Sequence, residues 1–469
     1  MVRSVWQPLT LSQIPCQQWQ RQSILFRLTN GPLAAWRQGS WLMQWAEPLG
    51  ALLVSLVLVV GPLVSTSLIG ILLLACAGFW AILTVTEDWR HPQAILTPIH
   101  LLVLLYWAIS TVAMALSPVR EAAFTGWVEL TLYLLLFALA AKLLRSHIGR
   151  RVQDAFVGVY LHISLIVSAY GIRQWYFGAD PLATWTDPES TAAEITRVYS
   201  VLGNPNLLAG YLIPAVALSM GAIFAWRRLT CKALAVGMFV ANSVCLVLTY
   251  SRGGWIGFLA AGFVFVLMLV YWWTPKLPQK WRIFAIPGVL GASAAVVVLA
   301  VLFVDPIRDR ALSIFAGRED SSNNFRMNVW AAVAEMIRDR PILGIGPGND
   351  AFNQVYPLYM RPNYSALSAY SVFLEVAVET GFIGLASFLW FLLVSFAGSW
   401  RQVCALRDNR NSQGYWLMAA LAAMVGLMVH GLVDTVWYRP QINTVWWLCV
   451  AIAASYLPIR AMEDGKVET

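Results

Sequence analysis

The sequence predicts an all-α membrane protein that crosses the bilayer about twelve times, and three observations carry this. Mean hydropathy is +0.64. Of 469 residues, 59% are hydrophobic and only 12% charged, about half the usual charged share. Twelve apolar stretches follow one another along the chain, each of roughly the 20 residues that a hydrocarbon layer of about 30 Å requires. The 23 Trp and 16 Tyr suit two interfacial aromatic belts. A soluble fold would need several all-apolar helices inside one core.

Residues 1–47 are polar, with Arg3, Arg21, Arg27 and Arg37 and no compact apolar run. They read as an N-terminal segment without a cleavable leader. Nine spans are expected between 48 and 304, at 48–63, 65–85, 95–116, 125–143, 153–176, 205–225, 231–249, 253–273 and 283–304. Gly61-Pro62 makes the first connection a tight hairpin. A large loop, 305–369, follows. Spans ten to twelve are expected at 370–398, 415–436 and 441–459, and 460–469 form a tail.

The basic residues set the orientation. With the N-terminus inside, the inner segments hold 20 of the 32 Lys and Arg, including every lysine. Short basic inner loops are what the positive-inside rule asks for. Both termini are thus expected in the cytoplasm of a cell with this protein in its inner (plasma) membrane. The loops 177–204 and 305–369 then face out. The first carries Asp180, Asp187, Glu189 and Glu194 against Arg197. The net charge of +8 belongs to the cytoplasmic rim and calls for no nucleic acid. The partner expected from composition is the lipid bilayer; the oligomeric state is left open. Cys76, Cys245 and Cys449 fall within spans, and Cys16, Cys231 and Cys404 near the inner side. No disulfide framework, metal site or cofactor is expected. No internal repeat is visible, which counts mildly against a carrier built from two matching halves.

The loop 305–369 is the segment expected to carry chemistry. Asn323-Asn324 can cap a helix near 325–338. Phe325, Val329, Trp330, Val333 and Ile337 share one face at helical spacing. Pro341 ends it. Arg326 lies on its first turn. Gly344, Gly346 and Gly348 punctuate the following run, which reads either as a backbone nest for an anion, through Gly346 and Gly348, or as a tight turn that lets loop and bundle approach. Ionisable residues cluster at the outer ends of spans: Arg252, the pair Glu375 and Glu379, the pair His430 and Asp434, and Arg439. A spacing of four puts each pair on one helix face. Charges in such positions either pair structurally or line a cavity. The sharper reading is an outward-facing anion site built on Arg252, Arg326 and Arg318. Glu129 and His162 are more isolated.

Four segments then carry a resemblance: Leu202-Gly203-Asn204-Pro205-Asn206, Ser251-Arg252-Gly253-Gly254-Trp255, Arg326–Trp330 leading to Pro341–Gly348, and Glu379–Gly384. In this order they resemble the O-antigen ligase and polymerase superfamily. The run Val201–Leu208, the segment Gly317–Arg326 and His430–Thr435 are similar to the cyanobacterial inorganic-carbon-accumulation proteins, described as bicarbonate transporters and placed in the same superfamily.

The resemblance implies two functions. The closer one implies transport or accumulation of inorganic carbon, with bicarbonate as the small anion. The wider one implies a glycosyltransferase that joins a glycan from a polyprenyl-diphosphate carrier to an acceptor on the outer face. The ligases place a His, then Asn, Ser or Gln, nine residues before a Gly. Here Tyr370 stands in the place of the His, followed by Ser371 and, after nine residues, Gly381. A phenol with its usual pKa near 10 is a poor base at neutral pH. Catalytic candidates are therefore Tyr370, His430 and Glu375, with Arg252 and Arg326 as diphosphate ligands.

Overall fold

A computed structural model describes residues 7–14, 16–24, 33–87, 96–179, 197–303, 308–309, 312 and 317–457. The acidic part of the loop 177–204 and the tail 460–469 lie outside them. The described residues hold helices and turns and no strand. In chain order the helices are α1 (Cys16–Gln22), α2 (Ala34–Gly39), α3 (Ala46–Val60), α4 (Thr66–Val85), α5 (Pro98–Ala115), α6 (Arg120–Leu144), α7 (Gly149–Phe177), α8 (Pro205–Ala225), α9 (Leu229–Leu248), α10 (Arg252–Trp273), α11 (Gln279–Phe303), α12 (Ser321–Asp339), α13 (Asn349–Val355), α14 (Val372–Asp408), α15 (Gly414–His430) and α16 (Pro440–Tyr456). Nine described helices are long and apolar enough to cross a membrane. α11, α15 and α16 occupy the remaining expected spans, the last two with 17 residues each. The chain is an all-α polytopic membrane protein.

α8 is the axis of the bundle. Of its spanning window 89% lies inside the protein, against 28% for its neighbours α9 and α10. Small residues allow this, since helices in lipid associate by close van der Waals packing. A methyl group on Gly221 would stand 2.6 Å from Ala419 Cβ, and one on Gly257 2.6 Å from the Gly426 carbonyl. α8, α10 and α15 therefore meet along a seam of Gly and Ala. The start of α8 is written in the sequence. Gly203 takes the left-handed conformation, the Asn204 side chain accepts from Asn206 N and Leu207 N, and Pro205 opens the first turn.

Near the end of α6, Lys142 Nζ lies 2.5 Å from Glu87 Oε2, with both side chains under a tenth exposed. Removing one partner of a buried pair strands the other charge. Lys142→Met should therefore destabilise the protein by about 3–5 kcal/mol, and Lys142→Met with Glu87→Leu should recover most of that loss. Melting temperatures in detergent check both.

Three expectations are corrected. α12 starts at Ser321, and its cap is Asp320, whose carboxylate accepts from Asn323 N at 2.9 Å; the expected Asn323-Asn324 cap lies inside the first turn. α15 ends at His430, six residues before the expected boundary. His430 and Asp434 therefore do not share a helix face, because the chain leaves the helix between them.

Candidate functional site

The helix of the large loop lies against the bundle. Val329, Val333 and Ile337 of its expected apolar face are buried, together with Ala332 and Met336. They pack in one cluster with Phe352, Val355 and Tyr356 from the α13 region and Ala377 and Val378 of α14. This packing holds the first turn of α12 over the ends of α10 and α15.

Arg252 opens α10, with Ser251 as its cap accepting from Gly254 N. Arg252 Nη2 donates to Asp320 Oδ1 at 2.8 Å. Asp320 thus does two things: it caps α12 and fixes Arg252. Six residues on, Arg326 Nε donates to the Val433 carbonyl at 2.8 Å and Nη1 to Ser322 Oγ at 2.6 Å. Its Nη2 lies 3.6 Å from Asp434 Oδ2. Each arginine is thus matched by an aspartate.

Tyr370 stands beside them with φ +50°, an uncommon conformation for a bulky residue. Its ring meets Phe325 edge-on at 5.4 Å. Trp330 Nε1 donates to its carbonyl at 3.4 Å. Burial, and then the neighbouring Asp434 carboxylate, push the phenol well above its usual range, with Arg326 opposing. Tyr438, raised chiefly by burial and to a lesser degree by Asp434, borders the same carboxylate.

His430 is fully buried, and neither ring nitrogen has a partner among the described residues. A methyl group added to Gly253 would stand 2.9 Å from its Cδ2. His430 packs against α10, and the aspartate expected to pair with it binds Arg326 instead. Arg318 is exposed and donates to Asn324 Oδ1 at 3.1 Å. Arg439 precedes α16 with its guanidinium over the Tyr438 ring at 5.1 Å. His162 is exposed on α7.

A second zone adjoins the first through the segment 431–439. Glu375 Oε2 accepts from Ala369 N at 2.6 Å and from Thr435 Oγ1 at 3.4 Å. Glu379 Oε1 accepts from Gly348 N at 2.9 Å. Both carboxylates, with Glu129 of α6, line a cavity of about 120 Å3. Pro347 and Gly348 of the glycine-rich run form part of its wall. α14 is broken at Gly381, with φ 68° and ψ −171°. A break at membrane depth must find new partners for its backbone. The run supplies them: Ile345 N donates to Val378 O, Gly346 N to Glu379 O, and Phe382 N to Pro341 O, at 2.9, 2.9 and 2.7 Å. The Gly346 and Gly348 amides, expected as donors to an anion, are therefore engaged to Glu379. On its other side the run meets α6, where a methyl on Gly126 would stand 2.3 Å from the Pro347 carbonyl.

Residues 237–389 match the family model described as O-antigen ligase. No curated protein matches the chain. The matched stretch contains Arg252, Arg326, the glycine-rich run, Tyr370, Glu375 and Glu379, and it ends ahead of His430 and Asp434. The match supports the wider superfamily resemblance; the closer resemblance to bicarbonate transporters has no support from it. Asp320 is the site residue that sequence reasoning passed over. Its signal was present but not decisive, since Asp and Asn cap helices equally well.

Proposed function

We propose that this protein is a glycosyltransferase of the O-antigen ligase type, which takes a glycan from a polyprenyl-diphosphate carrier on the outer face of the membrane. The observation that carries this reading is the placement of Arg252, at the start of α10, and of Arg326, in the second turn of α12, both inside the matched stretch, on two helices tied together by Asp320. Planar guanidinium groups suit a diphosphate, because each can offer two parallel N–H donors. The N-terminus of α10, at Arg252, adds partial positive charge.

In this reading the acceptor hydroxyl attacks the sugar carbon, the bond to the diphosphate oxygen breaks, and the polyprenyl diphosphate leaves with its charge held by the two arginines. The hydroxyl proton needs an acceptor. His430 is sealed against α10, and Glu375 is committed to Ala369 N and Thr435. Asp434 remains, bordering both Tyr370 and Arg326. We assign it the base role, and Tyr370 a donor role at the same place.

With purified protein, a polyprenyl-diphosphate glycan and an acceptor glycan, Asp434→Asn should lower the transfer rate about 100-fold, the lower end for a lost general base. Tyr370→Phe should lower it less than about tenfold, the scale of one neutral hydrogen bond. If Asp434→Asn transfers at the unaltered rate while Tyr370→Phe does not, the roles are assigned the wrong way round. The bicarbonate reading rests on the same two arginines. Liposomes carrying the protein that take up no more labelled bicarbonate than empty liposomes dispose of it.

A further inference from the structure

Tyr370 and Asp434 both lie outside helices, Tyr370 in the approach to α14 and Asp434 between α15 and α16. No ladder of helical hydrogen bonds fixes either backbone, so other groups must. Asp434 has pinned neighbours on both sides. The Val433 carbonyl accepts from Arg326 Nε at 2.8 Å, and the Thr435 hydroxyl donates to Glu375 Oε2 at 3.4 Å. Tyr370 is held in a similar way. The Ala369 amide donates to the same Glu375 oxygen at 2.6 Å, and the Ser371 carbonyl accepts from Glu375 N at 2.8 Å.

One carboxylate oxygen therefore reaches the residue before Tyr370 and the residue after Asp434. The setting is dry, since Ala369, Glu375 and Thr435 are all buried. The Ala369 amide and the Thr435 hydroxyl have no other acceptor among the described residues, and buried donors need one. Tyr370 adds a demand of its own. Its φ of +50° is held only where the surroundings over-determine it. Glu379, one turn further along α14, cannot share the task, because its carboxylate holds Gly348 N.

We propose, resting on the transferase reading above, that Glu375 is the positioning residue of the transfer step. By holding Ala369 and Thr435 on one oxygen, it sets the Tyr370 phenol and the Asp434 carboxylate relative to each other. It touches neither the glycan donor nor the acceptor hydroxyl. The role asks for an oxygen with two lone pairs at this place, and it does not ask for a charge or a proton. A glutamine supplies the same oxygen, since a side-chain amide carbonyl also accepts twice. A leucine fills similar space and accepts nothing.

The test uses the full chain in detergent with a polyprenyl-diphosphate glycan and an acceptor glycan, reading kcat per folded molecule and KM for the donor. Glu375→Leu should lower kcat about 100-fold, the scale of a small misplacement of reacting groups. Donor KM should stay unchanged, because Arg252 and Arg326 do not bind Glu375. Glu375→Gln should keep kcat within about fivefold, the difference between a charged and a neutral acceptor. Thr435→Val, which removes one arm, should lower kcat about tenfold, the scale of one hydrogen bond. A Glu375→Leu protein that melts lower but keeps full kcat per folded molecule has lost structure alone, and overturns the proposal. Equal losses in Glu375→Gln and Glu375→Leu would make the residue a proton acceptor, and overturn it too. Should Glu375→Leu fail to fold, Thr435→Val decides, and an unaltered kcat there sinks the positioning role. No transfer by the unaltered protein removes the transferase reading and this role with it, whereas the variant outcomes remove the role alone.

Discussion

Alanine at position 252 or 326 should each lower glycan transfer about 1,000-fold, the scale of losing a charged donor to a developing negative charge. The two substitutions differ in what they do to the fold. Arg252→Ala removes the partner of Asp320, but that carboxylate keeps Asn323 N, so α12 keeps its cap. Arg326→Ala strands more. Asp434, whose side chain is 9% exposed, loses its cation, and Ser322 and the Val433 carbonyl lose donors. An uncompensated buried charge costs about 3–5 kcal/mol, so Arg326→Ala should melt at a clearly lower temperature. A lysine variant separates charge from geometry. Arg252→Lys keeps the charge beside Asp320 and should melt normally, yet lose most transfer, because a lysine lacks the planar pair of donors. Transfer rates and melting curves on the three variants check this. Normal transfer by a folded Arg252→Ala would remove the arginine pair from the mechanism.

Much of the fold was legible in the sequence because its signals are local. Apolar runs mark spans, and Gly203-Asn204-Pro205 marks the start of α8 through a left-handed glycine, a cap and a first-turn proline. Three residues of the expected α12 face, Val329, Val333 and Ile337, are buried and Phe325 and Trp330 half-buried, since helical periodicity is independent of what the helix packs against. The site was legible as residues and poorly as pairs. Arg252 and Arg326 lie by the start of α12, and Glu375 and Glu379 line a neighbouring cavity, but partners were chosen by sequence distance. The spacing of four between His430 and Asp434 implies contact only if the helix continues, and it stops at His430. Asp434 then turns to Arg326, which is 108 residues away along the chain. No local rule reaches across that distance. Glu375 and Glu379 behave as anchors: one holds the Ala369 amide next to Tyr370, and the other holds Gly348. The glycine-rich run illustrates the same limit. Its left-handed glycines admit an anion nest or a close approach, and only the carbonyls exposed by the break in α14 decide between them.

That break supplies the largest expected structural effect. Gly381→Ala should abolish recovery of folded protein from the membrane. Two costs add. The backbone at φ 68° and ψ −171° lies in a region open almost only to glycine, which costs a side-chain-bearing residue about 1–3 kcal/mol. The added methyl would also stand 2.1 Å from the Ile342 carbonyl oxygen and 2.5 Å from Leu343 N. Both are backbone atoms, so no side chain can swing away. Relief requires the 341–346 run to withdraw from α14. Withdrawal strips the Val378 and Glu379 carbonyls and the Phe382 amide of their partners, and unsatisfied backbone in an apolar setting costs several kcal/mol per group. These terms together exceed the few kcal/mol by which most folded proteins are stable. The control is Gly398→Ala on the same helix. There the nearest atom to the added methyl is Leu457 Cδ2 at 2.8 Å, the far end of a side chain that can rotate. Size-exclusion profiles of the two variants in detergent should separate them, with a monodisperse peak for Gly398→Ala and aggregate for Gly381→Ala. A monodisperse Gly381→Ala with an unchanged melting temperature would mean that the glycine-rich run is not what holds the two halves of α14 in place.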